Sequence, residues 1–353
     1  MPARLFVSIF AECCLWRIAH AGGGYNVADE NLHVNHAAAM IVPTNTPLDD
    51  VPGEMVGGHD QAGIIDVTAA RRVFQRSAAD SAGADVLSRE VERRMLERLQ
   101  YIRLQPSRIL DAGSGAAPAL SLLAQCYPRA DLHALDAACN VLSPARAARP
   151  LAARARDFFT RRASHYVCGD FAQLPFATRS FQLIWSNLAL AWAVDPLPVF
   201  KELSRVLDIG GLLMFSTYGP DTLKELRAAF ASADSYAHTH RFIDMHDLGD
   251  MLVAAGFAEP VMDMESITLT YADFDALARD LRMSGQSNVA RGRRRGLLGR
   301  QAYGRMRAAY DDLRRDGRLP ATVEIVYGHA WRVAPRLSDD GRSIIKLDLK
   351  SRS

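Results

Sequence analysis

Three acidic residues in the middle of this 353-residue chain each close a short apolar run. Asp111 ends RILD and is followed by AGSGAAP, with glycines at 113 and 115; Asp136, 25 residues on, ends DLHALD; Asp170 lies in YVCGDFAQLPF and is followed at once by Phe171. Acids at strand ends of an open α/β sheet stand at the crevice where such sheets bind ligands. Glycines there let backbone approach a ligand closely, and the helix that begins at APALSLLAQC offers unpaired N–H groups. A lone Gly-x-Gly beside an Asp is often only a turn or a cap. Three strand ends with matching acids argue for a site.

The spacing also says which ligand. A dinucleotide site wants G-x-G-x-x-G, but Gly113-Ser114-Gly115 runs on to Pro118 where the third glycine belongs, and no Gly-Lys-Ser/Thr is present to cradle a triphosphate. A carboxylate at Asp111 repels a pyrophosphate and suits an ammonium group. Asp136 can accept both hydroxyls of a ribose. Asp170 can accept from an exocyclic amine, with Phe171 against a purine ring. Ammonium, ribose and adenine without phosphate describe S-adenosylmethionine better than NAD or ATP.

The elements that must hold these residues alternate. Apolar segments at 108–111, 131–136, 164–170, 181–186 and 211–217 read as strands, with helical spacing between them. In PLPVFKELSRVLDIGG, Val199, Leu203, Val206 and Leu207 share a face, and Gly210 and Gly211 are expected to stop the helix. Strand and helix in turn mean a Rossmann-like α/β fold, a mostly parallel sheet with helices on both faces. Before the first of these strands, Val86, Val91, Met95, Leu96 and Leu99 keep a helical period. After the last come helices near 221–231 and 246–255, the strand MESITLTY, an Arg-rich helical segment over 272–315, and ATVEIVYGHAWRV. The last two strands, lacking a βαβ crossover, predict an antiparallel pair at the sheet's edge.

Composition bounds the rest. The chain is 49% hydrophobic and carries 42 Lys and Arg against 40 Asp and Glu, so no global charge points to nucleic acid or a membrane surface. Its five cysteines form neither a CxxC pair nor a regular framework, which fits a reducing, cytoplasmic setting. No apolar run approaches the roughly 18 to 20 residues of a membrane span. The apolar start MPARLFVSIFAECCLWRIAH is broken by Glu12 and Arg17, unlike a signal peptide. Residues 1–66 read as a loop-rich extension, with Met40 and Met55 as alternative starts.

From Arg71 to Arg332 the sequence resembles the class I S-adenosylmethionine-dependent methyltransferases, and among them the malonyl-acyl-carrier-protein O-methyltransferases of biotin synthesis. The likeness rests on RILDAGSGAAP, CGDFAQLPFATRSFQLIWSNLALAWAVDP, FKELSRVLDIGGLLMFSTYGPDTLKELR, HRFIDMHDLGDMLVAAGF and LPATVEIVYGHAWR. It implies a seven-stranded sheet whose last strand is antiparallel, preceded by a helical insertion. It divides the chain into an extension (1–66), a methyltransferase domain (67–335) and a tail (334–353). Within the domain it implies a helical cap (67–106), a cofactor core (107–217), substrate-side helices (218–320) and a closing strand (321–333). By resemblance Asp111, Gly113, Ser114 and Gly115 border the methionine moiety, Asp136 the ribose, and Asp170 and Phe171 the adenine; Asn187 faces cofactor and substrate. Two departures stand out: Ala117 and Ser114 replace the family's Gly and Cys, and Asp80 and Ser81 stand where an aromatic is usual.

The implied reaction needs no general base, because a malonyl carboxylate, with an ordinary pKa near 4, is already ionised at pH 7. Rate then comes from positioning and desolvation. A guanidinium is the natural fork for the carboxylate, and Arg241 and Arg282 are candidates. The segment 291–318, with ten Arg against three Asp, suits an acidic acyl carrier protein or is a solvated face. Apart from Tyr303 and Tyr310 it lacks the interleaved aromatics of a nucleic-acid site, and no metal-ligand spacing appears. The alternatives are a small-molecule or quinone methyltransferase, and a respiratory complex assembly factor that binds S-adenosylmethionine.

Overall fold

The computed structural model describes residues 64–77, 86–147 and 164–334, with short strand segments at 32–33 and 40–43 and helical positions at 151 and 155. Asp80, Ser81 and most of the expected extension and tail lie outside the described residues. Two helices, α1 (Val67–Ser77) and α2 (Val86–Leu99), precede the sheet. Val91, Met95, Leu96 and Leu99 of α2 are all buried, as their period requires. Fully burying each such side chain is worth roughly 1.5–3 kcal/mol.

The sheet then forms in the expected alternation: β3 (Arg108–Ala112), α3 (Ala119–Cys126), β4 (Asp131–Asp136), α4 (Cys139–Ala147), β5 (Ser164–Cys168), β6 (Phe181–Ser186), α5 (Pro196–Val206) and β7 (Leu207–Tyr218). Next come α6 (Lys224–Ala231), α7 (Met245–Ala254), β8 (Phe257–Tyr271), α8 (Phe274–Met283), α9 (Arg300–Asp311) and β9 (Leu319–Arg332). The order across these seven strands is β5-β4-β3-β6-β7-β9-β8. β3 to β7 are parallel, and β9 runs antiparallel to both β7 and β8. The closing strand is therefore not the edge but is wedged between its two predecessors. Two short strands, β1 (Leu32–His33) and β2 (Met40–Pro43), extend the sheet to nine by antiparallel pairing of β2 with β8.

One apolar core lies on each face. The first joins α2, α3, α6, α8 and α9 to residues such as Ile109, Trp185 and Met214; the second joins α5 and α7 to Leu110, Ile184, Leu213 and Phe215. Among the described residues no helix is long and apolar enough to cross a membrane.

Three expectations need correction. Gly210 and Gly211 do not stop α5: it starts at the N-cap Asp195, whose carboxylate accepts from Leu197 N–H, and ends at Val206. Leu207 is already extended, and Gly210, at φ 77°, lies where the β6–β7 register slips between Phe181 and Leu183. The glycines permit a bulge, so strand pairing rather than glycine flexibility ends the helix. The Arg-rich 272–315 is two helices separated by non-helical 284–299, which bridges Ile65 through Ala290. Cys139, opening α4, and Cys168, closing β5, have Cα atoms 5.1 Å apart and are joined as a disulfide. Their 29-residue separation hid that pairing, which parallel neighbours β4 and β5 create.

Because β9 is inserted, its Gly328 lies directly across from Phe215 of β7, and a Cβ there would come 2.4 Å from the buried Phe215 ring. Overpacking a core costs about 1–3 kcal/mol. Gly328→Ala should lose that much stability in urea denaturation, and Phe215→Leu in the same chain should restore part of it; an unchanged midpoint for Gly328→Ala would contradict this packing.

Candidate functional site

β3, at the point where strand order reverses, has β4 on one side and β6 on the other. Its last residues, Asp111 and Ala112, lead into a loop that folds back on β4: the N–H groups of Gly113 and Ser114 both donate to Leu135 O, at 2.8 and 3.0 Å. Such a sharp reversal puts Gly113, Gly115 and Ala117 in the left-handed region, at φ 78°, 53° and 56°. The two glycines do different work. A Cβ on Gly113 would sit 2.2 Å from Ala189 Cβ, whereas one on Gly115 would meet no protein atom within 4 Å. Gly113 is there for packing, and Gly115 borders open space. Ala117 holds a backbone conformation that costs an L-residue about 1–2 kcal/mol.

Asp136 secures this loop. Its Oδ2 accepts from Gly115 N–H at 2.8 Å and its Oδ1 from Ala138 N–H at 2.7 Å. Burial raises its pKa, and the two backbone donors pull the other way. Each oxygen keeps a lone pair for a further donor.

Asp111 is 2% exposed, and its Oδ2 has no hydrogen-bond partner; the Ser114 hydroxyl, 7% exposed, has none either. Desolvation foremost, then the carboxylates of Glu92 and Asp136, push the Asp111 pKa well up. An orphaned buried carboxylate is costly unless a cation or donor meets it. These residues fit the ammonium end of S-adenosylmethionine and exclude a phosphate.

The remaining sequence candidates divide. Asp170 caps its own turn, accepting from Ala172 N–H at 2.9 Å, and meets Arg71 of α1 at 3.1 Å. Phe171 is half-buried against the second core. Helix α1 is thus tied to the loop after β5, aided by Asn140 Nδ2 donating to Gln75 O at 2.9 Å and by the edge-on packing of Phe74 on Trp192. Asn187 is committed to the protein: its Nδ2 donates to Ser88 O and Oγ at 3.0 and 3.2 Å, and its Oδ1 accepts from Ser216 Oγ at 2.8 Å. It clamps α2 and β7 to the end of β6 rather than presenting a free amide to a ligand.

Beyond that clamp is a cavity of about 650 Å³, walled by the start of α2, the ends of β7 and β8, β9, α6, α8 and the 238–242 and 284–288 segments. Arg282 lines it together with Arg279, which the sequence did not single out. Arg241 is exposed, and its neighbours His240 and Phe242 line the cavity instead. The titratable groups of the wall are engaged: His240 Nε2 accepts from Val289 N–H at 2.9 Å, His238 Nε2 meets Asp234 at 2.7 Å, and Tyr271 donates to Asp280 at 2.5 Å. Burial lowers His240 to about 4, so its ring is neutral at pH 7.

The basic 291–318 segment is mostly internal stitching. Arg293 and Arg295 bind Asp66, Arg294 binds Asp234, and Arg307 binds Asp275. Arg305, Arg314 and Arg318 donate to backbone carbonyls. Arg291, Arg300 and Arg315 are left facing solvent.

A sheet of this order, with an acid-tipped first strand and a glycine turn at its switch point, defines a class I S-adenosylmethionine-dependent methyltransferase. Residues 110–215 match the family described as "Methyltransferase domain". The malonyl-[acyl-carrier protein] O-methyltransferase of Gallionella capsiferriformans is 50% identical over 287 residues, 81% of this chain and 98% of the relative. That of Laribacter hongkongensis is 52% identical over 290 residues, covering 81% and 97%. The chain belongs to the malonyl-[acyl-carrier protein] O-methyltransferase family.

Two outcomes follow for the crevice. Because the folded Asp111 pKa lies above its unfolded value near 3.9, its contribution to stability is complete below about pH 4 and fades as pH climbs through the raised folded value. Asp111→Asn should therefore melt about 2–4 °C above wild type at pH 8 without cofactor. That gap should close toward pH 4, while cofactor affinity by calorimetry falls roughly tenfold or more. Gly113→Ala should cost about 2 kcal/mol or more from backbone strain and the Ala189 clash. Ala189→Gly should recover the clash but not the strain; no recovery in the double variant would contradict the close approach.

Proposed function

We infer that this chain transfers a methyl group from S-adenosylmethionine to the free carboxylate of a malonyl thioester on an acyl carrier protein, as a soluble step of biotin synthesis. The cofactor supplies a methyl carbon made electrophilic by its sulfonium. Near-complete coverage of relatives named for this activity supports the reading. The observation that carries it is the state of the cavity wall: His238, His240 and the Tyr271–Asp280 pair are held by protein partners. A wall without a free base suits an acceptor that arrives ionised, and a carboxylate does.

In this reading Asp111, Ser114 and Gly115 receive the methionine end, Gly113 lets the loop close on Ala189, Asp136 takes the ribose, and Asp170 with Phe171 takes the adenine. Arg282, helped by Arg279, holds the acceptor carboxylate. Asn187 keeps the two half-sites in register. The methyltransferase unit is the 67–335 domain, its 67–106 helices covering the crevice. Acyl carrier protein docks by its acidic surface to Arg279 and Arg282 together with the exposed Arg291, Arg300 and Arg315; such steering weakens with salt over a Debye length of about 8 Å at physiological ionic strength.

Labelled S-adenosylmethionine with malonyl-acyl carrier protein should yield a base-labile methyl ester, and acetyl-acyl carrier protein, lacking the carboxylate, should yield none. Arg282→Met should raise KM for the malonyl thioester at least tenfold while cofactor affinity stays within twofold. Bound cofactor with no ester would sink the proposal, and label appearing on a quinone or on protein arginine would replace it.

A further inference from the structure

The cavity wall is unevenly polar. Leu226, Leu269, Leu277 and Val323 give it an apolar lining, and its arginines, Arg279 and Arg282, are both exposed. A carboxylate brought into such a space leaves water behind and needs donors on more than one side, since its two oxygens offer about four lone-pair sites. Guanidiniums at the solvent side leave part of that set unmet. His240 is the deeper polar group, 8% exposed and lining the same cavity.

The backbone decides which nitrogen of His240 carries the proton. Val289 N–H donates to Nε2 at 2.9 Å, so the Nε2 lone pair is used and the neutral ring keeps its hydrogen on Nδ1. Val289 is itself held fast: it is 1% exposed, its carbonyl accepts from Asp66 N–H at 2.9 Å, and the adjacent Asn288 side chain donates to Ala237 O at 2.7 Å and accepts from Ala290 N–H at 2.9 Å. Burial, then the charge of Arg293, lowers the ring to about 4. Among the described residues none accepts from Nδ1. The ring is therefore a fixed donor with no lone pair left to act as a base.

His240 is also linked to the cofactor loop. It packs edge-on against Trp192 with centroids 5.0 Å apart, and Trp192 closes the turn Leu190–Trp192 that follows Ala189, the residue packed against Gly113. A reacting oxygen has to come within about 3 to 3.5 Å of the methyl carbon. A donor tied to the cofactor loop is well placed to orient that oxygen's carboxylate.

We propose that His240 is a specificity residue of the acceptor site, its Nδ1–H donating to the carboxylate of the malonyl thioester jointly with the Arg282 guanidinium. The proposal rests on the methyl-acceptor reading above. A neutral donor of fixed tautomer orients the anion and exchanges no proton with it, which leaves the attacking oxygen its charge.

The test separates the carboxylate from the thioester. Calorimetry in the presence of S-adenosylhomocysteine, which prevents turnover, would compare malonyl-acyl carrier protein with acetyl-acyl carrier protein, which keeps the thioester and lacks the carboxylate. His240→Gln can still accept from Val289 N–H but puts no donor at the Nδ1 position. It should weaken the malonyl form roughly tenfold or more and leave the acetyl form within about twofold of wild type. His240→Asn puts an amide N–H near the Nδ1 position and loses the acceptor for Val289. It should melt lower than wild type yet keep malonyl affinity within about threefold, and S-adenosylhomocysteine should bind both variants within about twofold. Equal weakening of the two carrier proteins by the Gln variant, or the same loss of malonyl affinity in both variants, would assign His240 a structural role only; unchanged malonyl affinity in the Gln variant would remove it from the site. Each of these overturns the proposal. A wild-type protein that does not favour the malonyl over the acetyl form would instead overturn the acceptor reading itself.

Discussion

The organisation of this molecule turns on a buried carboxylate with an open hydrogen-bonding position at the tip of its central strand. Asp111 is desolvated, flanked by Glu92 and Asp136, and has an oxygen with no protein partner. A fold would discard such a group unless a ligand compensated it, because each buried unpaired polar atom costs about 1–3 kcal/mol. The surrounding architecture makes the burial possible. β4 supplies the carbonyl that reverses the loop, Asp136 pins Gly115, and Gly113 makes room for Ala189.

The same constraint organises the second half-site. Asn187 would be an obvious ligand contact if judged by its place after β6, yet its amide is spent on Ser88 and Ser216. That choice joins α2, β6 and β7 beside the cavity. Such rigidity suits a transfer governed by positioning, where small displacements of the reacting atoms matter more than any proton relay. Inserting β9 between β7 and β8 serves the same end, since Ala321 and Val323 of β9 form part of the cavity wall.

The arginines show how charge counting misleads. The 291–318 segment looks like a basic docking face, yet most of its guanidiniums are tied to Asp66, Asp234, Asp275 or to the backbone carbonyls of Ser232, Thr270 and Ala272. Arg is suited to this use because its fork can satisfy several acceptors at once. The charge left facing solvent, at Arg291, Arg300 and Arg315, is smaller than the sequence count implied.

The sequence by itself determined the alternating strands and helices, the acids at three strand ends, the ligand class they fit and the buried face of α2. These are local facts: side-chain period and strand-end chemistry are written in consecutive residues. Tertiary structure alone decided that Asn187 spends its amide on Ser88 and Ser216, that Arg279 rather than Arg241 joins Arg282, that Cys139 meets Cys168, and that α5 ends by strand pairing instead of at its glycines. Each of those depends on which elements become neighbours across tens of residues, and a parallel sheet with an inserted last strand sets such neighbours by crossover order, which no local spacing records.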